Sequence, residues 1–145
     1  MVCTFFGHRE IHNSDEVVAK LNNTIVCLIE KGVREFLVGC NGNFDRLVLL
    51  TLRDLSKTYD IDYKVVLAYL NNSKNECFSY KTGETLFPED MERCPYRYAI
   101  DKRNRWMIKK SKIVVTYINT PFGGSYKYAE ICEKKELEII RLGKM

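Results

Sequence analysis

Residues 112–130 constrain the fold most. They read Lys-Ile-Val-Val-Thr-Tyr-Ile, then Asn119-Thr120-Pro121-Phe122-Gly123-Gly124-Ser125, and a helical pattern opens at Tyr126. Ile113, Val114, Val115, Tyr117 and Ile118 form a near-continuous apolar run rich in β-branched residues, the pattern of a strand buried on both faces of a parallel sheet. The stretch therefore predicts strand, glycine turn, helix. Pro121 ends the strand, Gly123 and Gly124 let the backbone turn sharply, and Ser125 offers a helix cap and a hydroxyl for an anion. Such a turn suits phosphate, because the free N–H groups and the dipole of a helix N-terminus point at one spot. A Gly-Gly-Ser linker is equally consistent with a tight connection and nothing more.

The same grammar recurs twice. Residues 2–6 form a short apolar strand that runs into Gly7-His8-Arg9. Residues 35–38 form a second strand, ending at Gly39-Cys40-Asn41-Gly42-Asn43-Phe44-Asp45. Asp45 falls near the first turn of the following helix, where a carboxylate caps the helix or accepts from a ribose hydroxyl; both roles stay open.

Between the strands the apolar spacing is helical. Ser14 is a candidate N-cap for a helix carrying Val17, Val18, Leu21, Ile25, Leu28 and Ile29, with Gly32 as its stop. Leu47, Val48, Leu50, Thr51 and Leu55 carry the next face, and 63–69 reads as a third strand. Residues 71–95 are polar, without period, and predict a long loop or lid. A helix over 96–110, in which Trp106 and Met107 face the core, the strand and helix of 112–135 and a last strand over 137–142 complete the order. The alternation predicts an α/β fold: a doubly wound, mainly parallel five-stranded Rossmann-like sheet, helices on both faces, in one domain over 1–145. All three glycine turns then lie on the carboxyl edge of that sheet, where such folds bind ligands.

Composition narrows the partners. No apolar run has the length of a spanning helix and no leader pattern opens the chain, so the expectation is a cytoplasmic protein without membrane contact. The six cysteines form no Cys-x-x-Cys pair and have no histidine cluster beside them, which argues against a metal site. The formal charge is only +4, but Arg93, Arg97, Lys102, Arg103, Arg105, Lys109, Lys110 and Lys112 fall close together. That block reads as a phosphate-binding flank or as a nucleic-acid face. The fingerprint Gly-x-Gly-x-x-Gly is missing after the first strand, against an ordinary dinucleotide dehydrogenase, and no cofactor is expected.

Four short motifs in order carry a resemblance: Thr4-Phe5-Phe6-Gly7-His8-Arg9, Gly42-Asn43-Phe44-Asp45-Arg46, Lys102-Arg103-Asn104-Arg105-Trp106-Met107, and Gly123-Gly124-Ser125 through Glu130. Together they span nearly the whole chain, which resembles the SLOG superfamily. That group contains the cytokinin-activating phosphoribohydrolases and the DNA-processing protein of bacterial transformation, and the likeness is greatest to its small bacterial members. The resemblance implies a nucleotide or nucleotide-derived ligand at the glycine turns, with Gly7, His8, Arg9, Gly39, Asn41, Gly42, Asn43, Phe44, Asp45, Arg103, Arg105, Pro121, Gly123, Gly124 and Ser125 as binding residues. In the hydrolases an Arg-Lys-x-x-Met motif supplies an active-site arginine, and Arg103 takes its place here. Their Pro-Gly-Gly-x-Gly-Thr-x-x-Glu motif puts Tyr128 where the catalytic glutamate belongs, leaving Glu130, two residues on, as the candidate acid or base. Binding thus carries over better than N-glycosidic hydrolysis. Single-stranded nucleic acid is the alternative partner, and homo-oligomerisation is open.

Overall fold

The computed structural model describes residues 1–70 and 79–145. Among these the order is β1 (Val2–Gly7), α1 (Ser14–Glu30), β2 (Glu35–Val38), α2 (Asn43–Leu55), β3 (Asp62–Val66), β4 (Thr85–Leu86), α3 (Ala99–Lys110), β5 (Ile113–Tyr117), α4 (Gly124–Lys134) and β6 (Glu138–Arg141). Single 3-10 turns cover Glu89–Met91 and Tyr96–Tyr98. The sheet has six strands in the order β4-β3-β2-β1-β5-β6, every neighbouring pair parallel.

The parallel α/β architecture is as expected; the strand count is not. The sixth strand, β4, is two residues long and pairs through Val65↔Thr85 and Val66↔Leu86. It lies inside the expected 71–95 lid, of which 71–78 fall outside the described residues. The remainder is anchored rather than lid-like. Glu84, only 5% exposed, accepts from Arg53 Nε and Nη2, Tyr63 Oη and the Lys81 amide, all at 2.6–2.7 Å. The Arg53 bonds, outweighing burial and helped by Tyr63 and Lys81, hold the Glu84 carboxyl down at about 2.

Strand alternation divides the core into two layers. Cys3, Phe5, Phe36, Val38, Val65, Val115 and Tyr117 face α1 and α2, meeting Val17, Leu21, Ile25, Phe44, Val48 and Leu52. Phe6, Leu37, Val66 and Val114 face the other way, onto Met107 and Ile108 of α3 and Tyr128 and Cys132 of α4. Two helices therefore cover each face, as a sheet with apolar residues on both sides requires. The α1 stop forms as read: Gly32, at φ 102, lets Val33 N–H reach Leu28 O at 3.0 Å and Gly32 N–H reach Ile29 O at 3.0 Å. Ser14 is the first helical residue rather than the cap, a position held by Asn13.

On α3 the two residues expected to face the core do so, Met107 fully and Trp106 partly buried, but Arg103 is buried as well. Arg103 is 1% exposed, whereas Trp106 is half-buried with Lys110 Nζ 5.5 Å from its ring centroid.

Strand order places the edge expected to bind a ligand. Moving outward from β1, β2 follows on one side and β5 on the other, so the chain changes direction between β1 and β5. A crevice opens at the carboxyl ends of strands at such a switch point.

Candidate functional site

Two cavities flank the loop after β1. The smaller, about 110 Å³, lies on the α3–α4 side and is lined by Phe5, Phe6, Gly7, Arg9, Gly39, Asn41, Asp45, Ile100, Arg103, Asn104, Met107, Gly124, Ser125 and Tyr128. It has room for roughly four waters, the size of a phosphate group and too small for a nucleoside. The larger, about 800 Å³, lies on the α1 side and includes His8, Arg9, Glu10, His12, Asn13, Glu16, Lys20, Tyr117, Asn119 and Lys144.

The smaller cavity gathers eight of the residues expected to bind ligand: Gly7, Arg9, Gly39, Asn41, Asp45, Arg103, Gly124 and Ser125. His8 borders only the larger cleft. Gly42, Asn43, Phe44, Arg105, Pro121, Gly123 and Glu130 line neither. Glu130 is exposed on α4, while Tyr128, two residues earlier, is buried under the cavity. The 200° between them, at ~100° per residue, sends the two side chains in different directions.

The glycines separate into two groups. A Cβ on Gly7 would lie 2.3 Å from the Phe44 ring, one on Gly39 would lie 3.1 Å from Asp45 Oδ2 and 3.2 Å from Arg103 Cζ, and one on Gly42 would lie 2.7 Å from Arg9 Cα. These three are glycines because the protein packs against itself there. Gly123 adopts φ 100 as the N-cap of α4, a conformation that L side chains rarely adopt. Gly124 has no such φ, and nothing lies within 4 Å of a Cβ built on it.

The two helix N-termini also differ. At α2 the N–H groups of Asn43 and Phe44 donate to Arg9 O (2.8 Å) and His8 O (3.4 Å). Asp45 Oδ2 accepts the Asn41 N–H at 3.0 Å, one residue before the N-cap Gly42, so it makes no cap bond to the helix, and Asp45 also borders the smaller cavity. The protein thus occupies the expected α2 phosphate socket itself. At α4 the N–H groups of Gly124, Ser125 and Tyr126 make no hydrogen bond among the described residues, the first intrahelical one being Lys127 N–H to Gly123 O at 3.3 Å. Ser125 is not the cap. Its hydroxyl donates to Gly7 O at 2.6 Å, stapling α4 to β1 and leaving only acceptor capacity toward a ligand.

Arg103 is the structural hub of the wall. Its Nε donates to Asn104 Oδ1 (2.7 Å), Nη1 to Val66 O (3.1 Å) and Cys40 Sγ (3.6 Å), and Nη2 to Asn41 Oδ1. These bonds use four of the five guanidinium N–H groups. Within the basic block of 93–112 only Arg103 points inward; the other seven cations are exposed, and Arg105, with Lys127 of α4, lies on Asp101 at 3.0 and 3.3 Å. Burial opposes the Asp101 charge, but hydrogen bonds from Tyr128, Arg105 and Lys127 outweigh it and hold its pKa below the ordinary value. Burial first, then the 2.7 Å bond to Asp101, pushes the Tyr128 phenol up to about 12.

Asn104, Ile100 and the phenylalanines of β1 line the cavity without having been candidate site residues, and Tyr128 lines it after being noted only as the residue at the hydrolase glutamate position. Asn104 had a usable signal, standing next to Arg103 within a motif. Tyr128 had one as well, at the place of the hydrolase glutamate. In the larger cleft the polar groups mostly satisfy one another: Tyr117 Oη donates to Asn13 Oδ1 (3.1 Å), Asn13 Nδ2 to Glu16 Oε2 (3.0 Å), and Lys20 Nζ to Leu142 O (3.2 Å). No helix among the described residues is long and apolar enough to cross a membrane. No protein-family model matches the sequence, and no curated protein matches it.

Proposed function

We propose that the chain binds a nucleotide or nucleotide-derived ligand at the β1–β5 switch point, its phosphate seated on the first amides of α4. Gly124 carries the reading: it borders the smaller cavity, yet neither its backbone angle nor any neighbouring protein atom asks for a glycine. A missing Cβ at that place admits a ligand to the amides of Gly124, Ser125 and Tyr126, where the helix dipole favours an anion. The positive charge of Arg103, which lines the same cavity, reinforces the same preference. The resemblance to the SLOG superfamily points to the same ligand class.

The carboxylates support binding without N-glycosidic hydrolysis. Glu130 does not line the cavity, Asp45 Oδ2 is engaged by the Asn41 N–H, and Tyr128 stays protonated at neutral pH. We favour this reading over nucleic-acid binding through 93–112, because Arg103 is internal, Arg105 is paired and Tyr96 stacks on Tyr69 at 4.5 Å. Calorimetry with matched nucleosides and nucleoside 5′-monophosphates tests it. The monophosphate binds at least about tenfold more tightly if even one charge-assisted contact to phosphate forms; equal affinities refute the phosphate seat.

A further inference from the structure

His8 was expected at the ligand, yet its side chain turns to another task. Its Nε2 lies 2.8 Å from the backbone nitrogen of Asn119, and a backbone amide can only donate. Nε2 must therefore carry a lone pair, which fixes the neutral imidazole as the tautomer protonated on Nδ1. The His8 backbone N–H donates to Tyr117 O at 3.2 Å, and the ring stands edge-on to Tyr117 at 6.0 Å. One residue thus binds the end of β1 to the end of β5 twice. Asn119 opens the turn that delivers Gly123 and the first amides of α4.

We propose that His8 is a positioning residue: in its neutral form it holds the 119–123 turn by accepting the Asn119 amide, and its protonation releases that turn and weakens the phosphate seat. This inference rests on the binding function proposed above. A protonated imidazole presents N–H at both ring nitrogens, so the Asn119 contact becomes donor against donor. The charged and titratable groups around the same cleft are Arg9 and Glu10 on its own loop, His12, Glu16 and Lys20 on the α1 side, Tyr117 of β5, and Lys144. A purely electrostatic role for His8 has the opposite sign, since a cation near the edge draws phosphate more strongly at low pH.

The test compares the wild type with His8→Gln, whose side-chain oxygen can accept the amide without titrating, and with His12→Gln, which removes the chain's other histidine. Affinity for a nucleoside 5′-monophosphate is measured from pH 8 to pH 5, and the ratio of wild type to His8→Gln cancels the titration of the phosphate itself. Loss of one hydrogen bond lowers that ratio roughly three- to tenfold at the acid end, and His12→Gln keeps the wild-type profile. A constant ratio, or one that rises as pH falls, overturns the proposal. Imidazole 15N shifts of the ligand-free protein decide separately: a His8 protonated on Nε2 at pH 8, or an Asn119 amide shift that ignores His8 titration, also overturns it. If no nucleotide binds at any pH, the proposed function fails while these shifts still judge His8.

Discussion

Replacing Gly124 by alanine separates a glycine kept for the fold from one kept for a ligand. Gly124 is the first residue of α4, outside the positive-φ region, and a Cβ there meets nothing within 4 Å. The native backbone therefore accepts alanine without strain. Alanine also restricts the unfolded chain more than glycine does, so the variant should be as stable as the wild type or more stable by about 0.5–1 kcal/mol. For a chain of 145 residues that raises Tm by roughly 1–4 °C. Binding should move the other way. On the proposed reading the added methyl takes space at the cavity rim that the phosphate would use, and pushing the phosphate off even one amide costs about 1.5–3 kcal/mol, a tenfold or greater loss of affinity. Thermal denaturation and calorimetric titration with a nucleoside monophosphate on the same two samples give both numbers. An alanine variant that binds as tightly as the wild type, or that melts well below it, refutes the reasoning.

Further outcomes follow from the same geometry. Arg103→Ala should destabilise the domain by roughly 3 kcal/mol or more, because it strands Asn41, Asn104 and the Val66 carbonyl in the interior, whereas Trp106→Ala on a half-buried face should cost less; chemical denaturation ranks the two. The Glu84 carboxyl, held at about 2 against an ordinary 4.5, contributes stability that is fully present above pH 4.5 and is lost as pH falls toward 2. That contribution is roughly 3 kcal/mol, and Glu84→Gln should lower stability at pH 7 and flatten the acid limb of the stability profile; an unchanged acid limb contradicts the assignment. Incubation with a panel of nucleoside monophosphates should release no free base by chromatography, and release abolished by Glu130→Gln would make the protein a hydrolase after all.

Much of the fold was legible because buried parallel strands and amphipathic helices each leave a period in the sequence. Val65 and Val66 announced their strand, and Leu21, Ile25 and Leu28 their helix. β4 was not legible, since two residues carry no period and its place at the sheet edge depends on Glu84 reaching Arg53, a tertiary contact. The site was legible as three glycine turns, but not what each glycine does. Gly7, Gly39 and Gly42 accommodate Phe44, Asp45, Arg103 and Arg9 from elsewhere in the chain, and a sequence does not show those approaches. Arg103 misled for a related reason: charge predicts exposure, and only the assembled acceptors of Asn41, Asn104 and Val66 make its burial affordable.

The central claim concerns three amides, and they can be observed directly. In a 15N-labelled sample titrated with a nucleoside 5′-monophosphate, the Gly124, Ser125 and Tyr126 N–H resonances should move downfield as they donate to phosphate. They should stay in place with the matching nucleoside. Shifts confined to other segments, or the same shifts with nucleoside as with monophosphate, would contradict a phosphate seat at the start of α4.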